Sequence, residues 1–183
     1  MAIDDDADLV RPWVEAVTFP VLLDREHLLT ELYAISNVPT VVWIDEDGRI
    51  VRPNGVAFGT DLFKEFTGVE AGPHFDAIRR WVRSGDVPIG ADEARTAVGD
   101  LSEDEVLARL HFRMAAHARR TGDEEAARRH FGRAGELAPY DWTIRRAALP
   151  LTGGDPFGQE FFDMYGAWQE AGSPYHGLPA QKS

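Results

Sequence analysis

The sequence predicts an α/β half over residues 1–85 and an all-α half over residues 103–172. Three observations predict it. Between residues 1 and 85, short apolar runs alternate with stretches of helical period, the pattern of an α/β unit. Inside that half, "TVVWIDEDGRIV" holds a β-branched run, an Asp-Gly reversal and a second β-branched run, which is the signal of an antiparallel hairpin. Beyond Ser102, apolar residues recur only at helical spacing.

The elements follow in order. "MAID" reads as the end of a strand, and "DADLVRPWVEAV" as a helix with Val10, Val14 and Val17 on one face and Asp8 as its cap. "FPVLLD" reads as a short buried strand. From Asp24, "REHLLTELYAI" sets Leu28, Leu29, Leu32 and Tyr33 at helical spacing. The hairpin comes next. "GPHFDAIRRWVRSG" predicts a helix with Phe75, Ile78, Trp81 and Val82 on one face and Gly85 as its stop. Residues 86–102 are rich in small, acidic and turn-forming residues and read as a linker. Two helices then meet at Thr121-Gly122-Asp123, where glycine ends the first and aspartate starts the second. A third begins near Asp141 and must stop or kink near Pro150, because proline lacks the amide donor. In a fourth, Phe157, Phe161, Tyr165 and Trp168 form an aromatic stripe. Residues 173–183 are expected to be a flexible tail.

Composition narrows the function classes. Of the 183 residues 44% are apolar, enough for a core, and the net charge of -12 argues against a nucleic-acid partner, which needs a basic face. No run approaches a membrane span, and "MAIDDDADLV" has no signal-peptide pattern, so the chain as written reads as cytoplasmic with no membrane partner. There is no cysteine, which removes disulfides, thiolate metal sites and cysteine nucleophiles from this polypeptide. None of the five serines lies in a Gly-X-Ser-X-Gly turn, and "GGDPFG" lacks the Lys-Ser/Thr end of a phosphate loop. No catalytic residue, metal ligand or cofactor is therefore assigned. The acidic residues 4–6 with Asp8 read as a solvated turn rather than a calcium loop. His111 and His117 fall on different faces of one helix, with His130 on the next, so they do not read as a metal site. Arg119, Arg120, Arg128, Arg129 and Arg133 alternate with acidic residues and read as a self-neutralising face.

"FPVLLD", the helix ending "LYAISNVPT", the strand "VVWID", the turn "EDG" and "RIV" occur in an order that resembles the TlpA/ResA-like thioredoxin-like (redoxin) family over residues 1–84. The resemblance implies an incomplete thioredoxin-like α/β domain, with a mixed sheet ending in the hairpin. It also implies that Pro39 is cis and that the backbone of Val38 receives an extended peptide, so Val38 and Pro39 are the substrate- or peptide-binding residues it transfers. The family's first strand and Cys-X-X-Cys helix have no counterpart in residues 1–183. Either the chain is a natural remnant stabilised by another chain, or its start was assigned too late. We favour the second, since Met1 reads as an interior strand residue, and expect a strand and a cysteine- or selenocysteine-bearing motif upstream. By family the activity is thiol-disulfide, or selenol and peroxide, oxidoreduction on a peptide or protein thiol substrate; as written, the chain is expected to be redox-inactive. The alternative is a non-catalytic interaction module.

Residues 103–172 resemble a tetratricopeptide-like helical domain, with Met114, Ala115, Gly122, Ala127, Phe131, Ala134 and Pro139 at seven of the repeat's fixed positions. That resemblance implies either a protein partner bound through the helices or, since a single repeat makes no extended concave surface, helices that pack against the redoxin-like half.

Overall fold

The computed structural model describes residues 2, 6–36, 38–57, 59–155 and 158–178. Its contacts fall into two units, Met1–Leu32 with Leu101–Ser173, and Tyr33–Asp100 with Pro174–Ser183. In chain order the elements are α1 (Ala7–Val14), α2 (Leu28–Leu32), β1 (Thr40–Ile44), β2 (Ile50–Val56), α3 (Lys64–Thr67), α4 (Ala71–Ser84), α5 (Ala91–Val98), α6 (Glu103–Thr121), α7 (Glu124–Leu137), α8 (Trp142–Leu151) and α9 (Gln159–Glu170). The chain is helix-rich, at 56%, with a small two-stranded antiparallel sheet.

The first unit is built around the α6–α7 hairpin. Ser102 and Glu105 form a reciprocal capping box at the start of α6, and Gly122, at φ 83°, ends it in the left-handed conformation that glycine adopts without a Cβ penalty. Asp123 then accepts from Ala126 N and starts α7. Alanines at Ala108, Ala115, Ala127 and Ala134 let the helices approach closely, and Phe112, Phe131 and Ile144 fill the space between them. Asp141 caps α8, which runs through Pro150 to Leu151. Because Pro150 falls in the last turn, the helix simply ends there. Trp142 stacks on Trp168 at 5.5 Å and meets Phe161 at 5.7 Å and Tyr165 at 5.8 Å, so the aromatic stripe of α9 packs on one indole. Phe157 lies outside the described residues.

Several expectations for the amino-terminal segments are corrected. Asp6, not Asp8, caps α1, accepting from Asp8 N at 2.8 Å. "FPVLLD" forms no strand: Leu23 makes one parallel bridge to Ala2, and Phe19 and Leu22 are exposed. Ala2 N donates to Leu22 O and Asp24 N to Ala2 O, so the two segments meet directly, and among the described residues neither joins a longer strand ladder. The helix predicted after Asp24 shrinks to the five residues of α2, and the leucine face is not the buried one. Thr30 and Glu31 are buried while Leu28 and Leu32 are exposed, because Asp24 takes the amides of Leu28 and Thr30 and the Thr30 hydroxyl. Hydrogen bonding there overrides the apolar period.

The second unit holds the hairpin. Asp45 Oδ1 accepts from Asp47 N and Arg49 N, Asp45 O accepts from Gly48 N, and Gly48 sits at φ 77°, so the reversal forms where the Asp-Gly signal places it. Opposite β1, β2 carries two extra residues: Val41 pairs with Gly55, Trp43 with Arg52 and Ile44 with Ile50. Pro53 lies within the first of these bulges, where a missing amide donor breaks no ladder bond. In α4 the half-buried positions are His74, Ala77, Ile78 and Trp81, whereas Phe75 and Val82 of the predicted face are exposed. Within residues 86–102 the chain folds as α5, with Asp92 and Glu93 in its first turn, and α5 packs on β2. Residues 174–178 are tied down. Leu178 N donates to Asn54 O at 2.8 Å, Gly177 N donates to Ala97 O at 2.9 Å, and the Asn54 amide donates to His176 O and Ala34 O. Residues 179–183 lie outside the described residues.

Candidate functional site

Val38 and Pro39 enter β1. The Val38–Pro39 peptide bond is cis, and Pro39 O accepts from Ala57 N at 3.3 Å, the last rung of the hairpin. Val38 is 61% exposed. Its N–H and C=O have no hydrogen bond among the described residues. The sheet has the order β1-β2; Leu178 bridges β2 at Gly55, and among the described residues no strand lies on the far side of β1. An open strand edge beside an exposed, unbonded backbone can accept an extended peptide through main-chain hydrogen bonds.

A cavity of about 310 Å³ lies on the face of the hairpin that carries Trp43 and Arg52, which sit opposite each other across the strands. Its apolar lining includes Val56, Ala57, Pro73, Ala77, Ile89 and Leu178, and its polar lining is Arg52, His74, Glu70 and Glu93. Trp43 is 3% exposed, stacks on Trp81 at 5.0 Å and leaves Nε1 with no hydrogen-bond partner. The Arg52 guanidinium lies over the Trp43 ring at 5.5 Å and reaches Val41 O at 3.4 Å. It also occupies the space above Gly55, where a side-chain carbon would stand 3.0 Å from Nη2 and the guanidinium would have to shift to admit it. Burial holds the Arg52 pKa below its ordinary value. Burial first, and the Arg52 charge second, lower that of His74 and favour the neutral imidazole. Glu70 is engaged at 2.5 Å by Lys64, whose pKa that hydrogen bond raises.

The buried ionic groups of the first unit pair with one another, although Arg109 Nη2 and Arg145 Nε have no hydrogen-bond partner among the described residues. Arg109 Nε donates to Asp141 Oδ2 at 2.9 Å and its Nη1 to Glu31 O at 3.3 Å, while Arg113 Nε pairs with the other end of Glu31. Asp141 thereby caps α8 with one oxygen and holds Arg109 with the other. His111 and His130, read as separate, share a hydrogen bond between Nδ1 atoms at 2.8 Å, while His117 Nδ1 is instead bonded to Arg120 Nη2. Among the described residues no three His, Asp or Glu side chains converge as a metal site. Arg129 pairs with Glu125, Arg133 with Glu136 and Arg120 with Glu26, all at the surface.

Sequence reasoning did not single out Trp43, Arg52 or His74. Strand alternation from Thr40 puts Trp43 and Val41 on one face, but the bulges in β2 hide Arg52's register behind "RPNG", which reads as a turn. No helix among the described residues is long and apolar enough to cross a membrane. Comparisons with family models, with curated proteins and with solved structures each return no match.

Proposed function

We propose that this chain is a redoxin-like protein that carries out no thiol chemistry as it stands and holds an extended polypeptide along the open edge of β1, starting at Val38. The observation that carries the reading is the edge itself, with Val38 exposed and its N–H and C=O unbonded among the described residues. The absence of any cysteine removes the thiolate that disulfide exchange requires. Resemblance supplies the family; the open edge supports the mode of binding. Affinity would come from main-chain hydrogen bonds, and selectivity from side chains alternating against the hairpin face.

The test is binding of the chain to an immobilised library of extended octapeptides, followed by N-methylation of alternate backbone amides in the best binder. Strand addition predicts a loss of about tenfold or more for methylation at the edge-facing amides and little change at the others. Binding that ignores backbone methylation would exclude the reading.

A second reading is favoured by one observation in the helical unit. Leu107, Leu110 and Met114 form an exposed apolar row along α6, at 47%, 46% and 51% exposure, and so offer a helix face to a protein partner. In that case the captured peptides would perturb α6 and leave Val38 unchanged.

A further inference from the structure

Arg52 is 8% exposed, yet among the described residues no carboxylate lies within ion-pair distance of it. Among the described residues its one polar contact is the long bond to Val41 O, and the face of Trp43 takes up part of its charge. A guanidinium carries five donors, and those of Arg52 without a protein acceptor are not sealed from solvent, so they stay available to a ligand that enters the cavity. Beside it stands a second unused donor, Trp43 Nε1, in a side chain 97% removed from solvent. Both side chains line the same cavity of about 310 Å³, whose remaining wall is largely aliphatic.

We propose that this cavity binds a small organic monocarboxylate of about ten to fifteen heavy atoms in all, with an apolar body. The carboxylate accepts from the Arg52 guanidinium, with Trp43 Nε1 as a further donor, and the apolar body lies against Pro73, Ala77 and Ile89. The guanidinium carbon is 5.5 Å from the indole centroid, so the two side chains share one wall of the cavity. The two acidic residues of the lining do not take its place: Glu70 is held by Lys64, and Glu93 is exposed on the first turn of α5. A phosphate fits less well, because one buried cation and a neutral imidazole would face two negative charges amid aliphatic side chains. This site is independent of peptide binding at β1 and stands or falls separately.

The test uses the full chain, with 3-phenylpropionate and its neutral amide, 3-phenylpropanamide, as probes, read by the assigned indole N–H resonance of Trp43. The acid is expected to shift that resonance saturably at about millimolar concentration, and the amide to bind about tenfold more weakly. Arg52→Met should abolish the preference for the acid. Should that variant lose its folded spectrum, Glu93→Gln decides: removing the second carboxylate should tighten the acid about twofold and leave the amide unchanged. Equal binding of acid and amide to the unaltered chain would overturn the proposal. So would no shift up to about 10 mM, shifts that map outside the cavity, a preference that survives in folded Arg52→Met, or acid binding unaltered in Glu93→Gln.

Discussion

Two arginines, Arg109 in the helical unit and Arg52 in the hairpin unit, are buried to nearly the same degree, at 6% and 8% exposure, and have opposite surroundings. Arg109 is enclosed by Asp141, Glu31 and a backbone carbonyl. Arg52 has a tryptophan face and one long hydrogen bond. The first arginine holds two carboxylates, with its Nη2 alone unpartnered among the described residues; the second has no carboxylate among the described residues and lines a cavity. Burial alone therefore does not separate the two charges, whereas the presence of a carboxylate partner does.

The largest expected effect tests that contrast. Arg109→Met strands Asp141 as a buried carboxylate without its cation and should cost about 3 kcal/mol in a denaturant titration. Arg52→Met removes an uncompensated charge and should change stability by less than about 1 kcal/mol, in either direction. Equal losses in the two variants would erase the distinction.

A second difference lies in the helix starts. In the helical unit, α6, α7 and α8 are each capped by a side chain, Ser102, Asp123 and Asp141, though α9 begins at Gly158 without one; in the hairpin unit α5 begins at Gly90 without one, and the first amide of α4 is taken by Asp61 from outside the cap position. Ser102→Ala should therefore cost about 1 kcal/mol of thermal or denaturant stability.

Acid should act more weakly, through His111. Burial, His130 and Arg133 lower its pKa below the ordinary 6.5, so the unfolded chain takes up the proton first. This contribution to stability is intact above about pH 6.5, falls as pH drops below that value, and levels off below the folded pKa. A His111→Gln variant should flatten that part of the pH–stability curve. Smallest of all, Gly90→Ser, at a position where an added Cβ meets nothing, should stabilise α5 by a few tenths of a kcal/mol.

The parts of this fold that can be read from sequence are those governed by local chemistry. The Asp45–Gly48 reversal, the Gly85 and Gly122 stops and the Asp123 start each depend on a residue type satisfying its own backbone neighbours. What is hidden depends on register or distant partners. The face of α2 is set by Asp24 and by Arg109, 78 residues away in sequence from Glu31, and no apolar period reports that. The acidic, small-residue composition of 86–102 conceals α5, whose packing on β2 gives it a place. The cavity depends on two bulges that bring Arg52 opposite Trp43. At the edge of β1 the exposed Val38 follows from the resemblance, but the capture of residues 174–178 by Asn54, which covers β2 and leaves β1 open, has no local signal.

The central claim is that β1 is an edge held ready for another strand, and amide hydrogen exchange at Val38 addresses it most directly. With the best library peptide bound, the Val38 amide is predicted to exchange at least about tenfold more slowly while the amides of α6 keep their rates. Unchanged exchange at Val38 with slowing along α6 would contradict the account and place the binding surface on the helical unit.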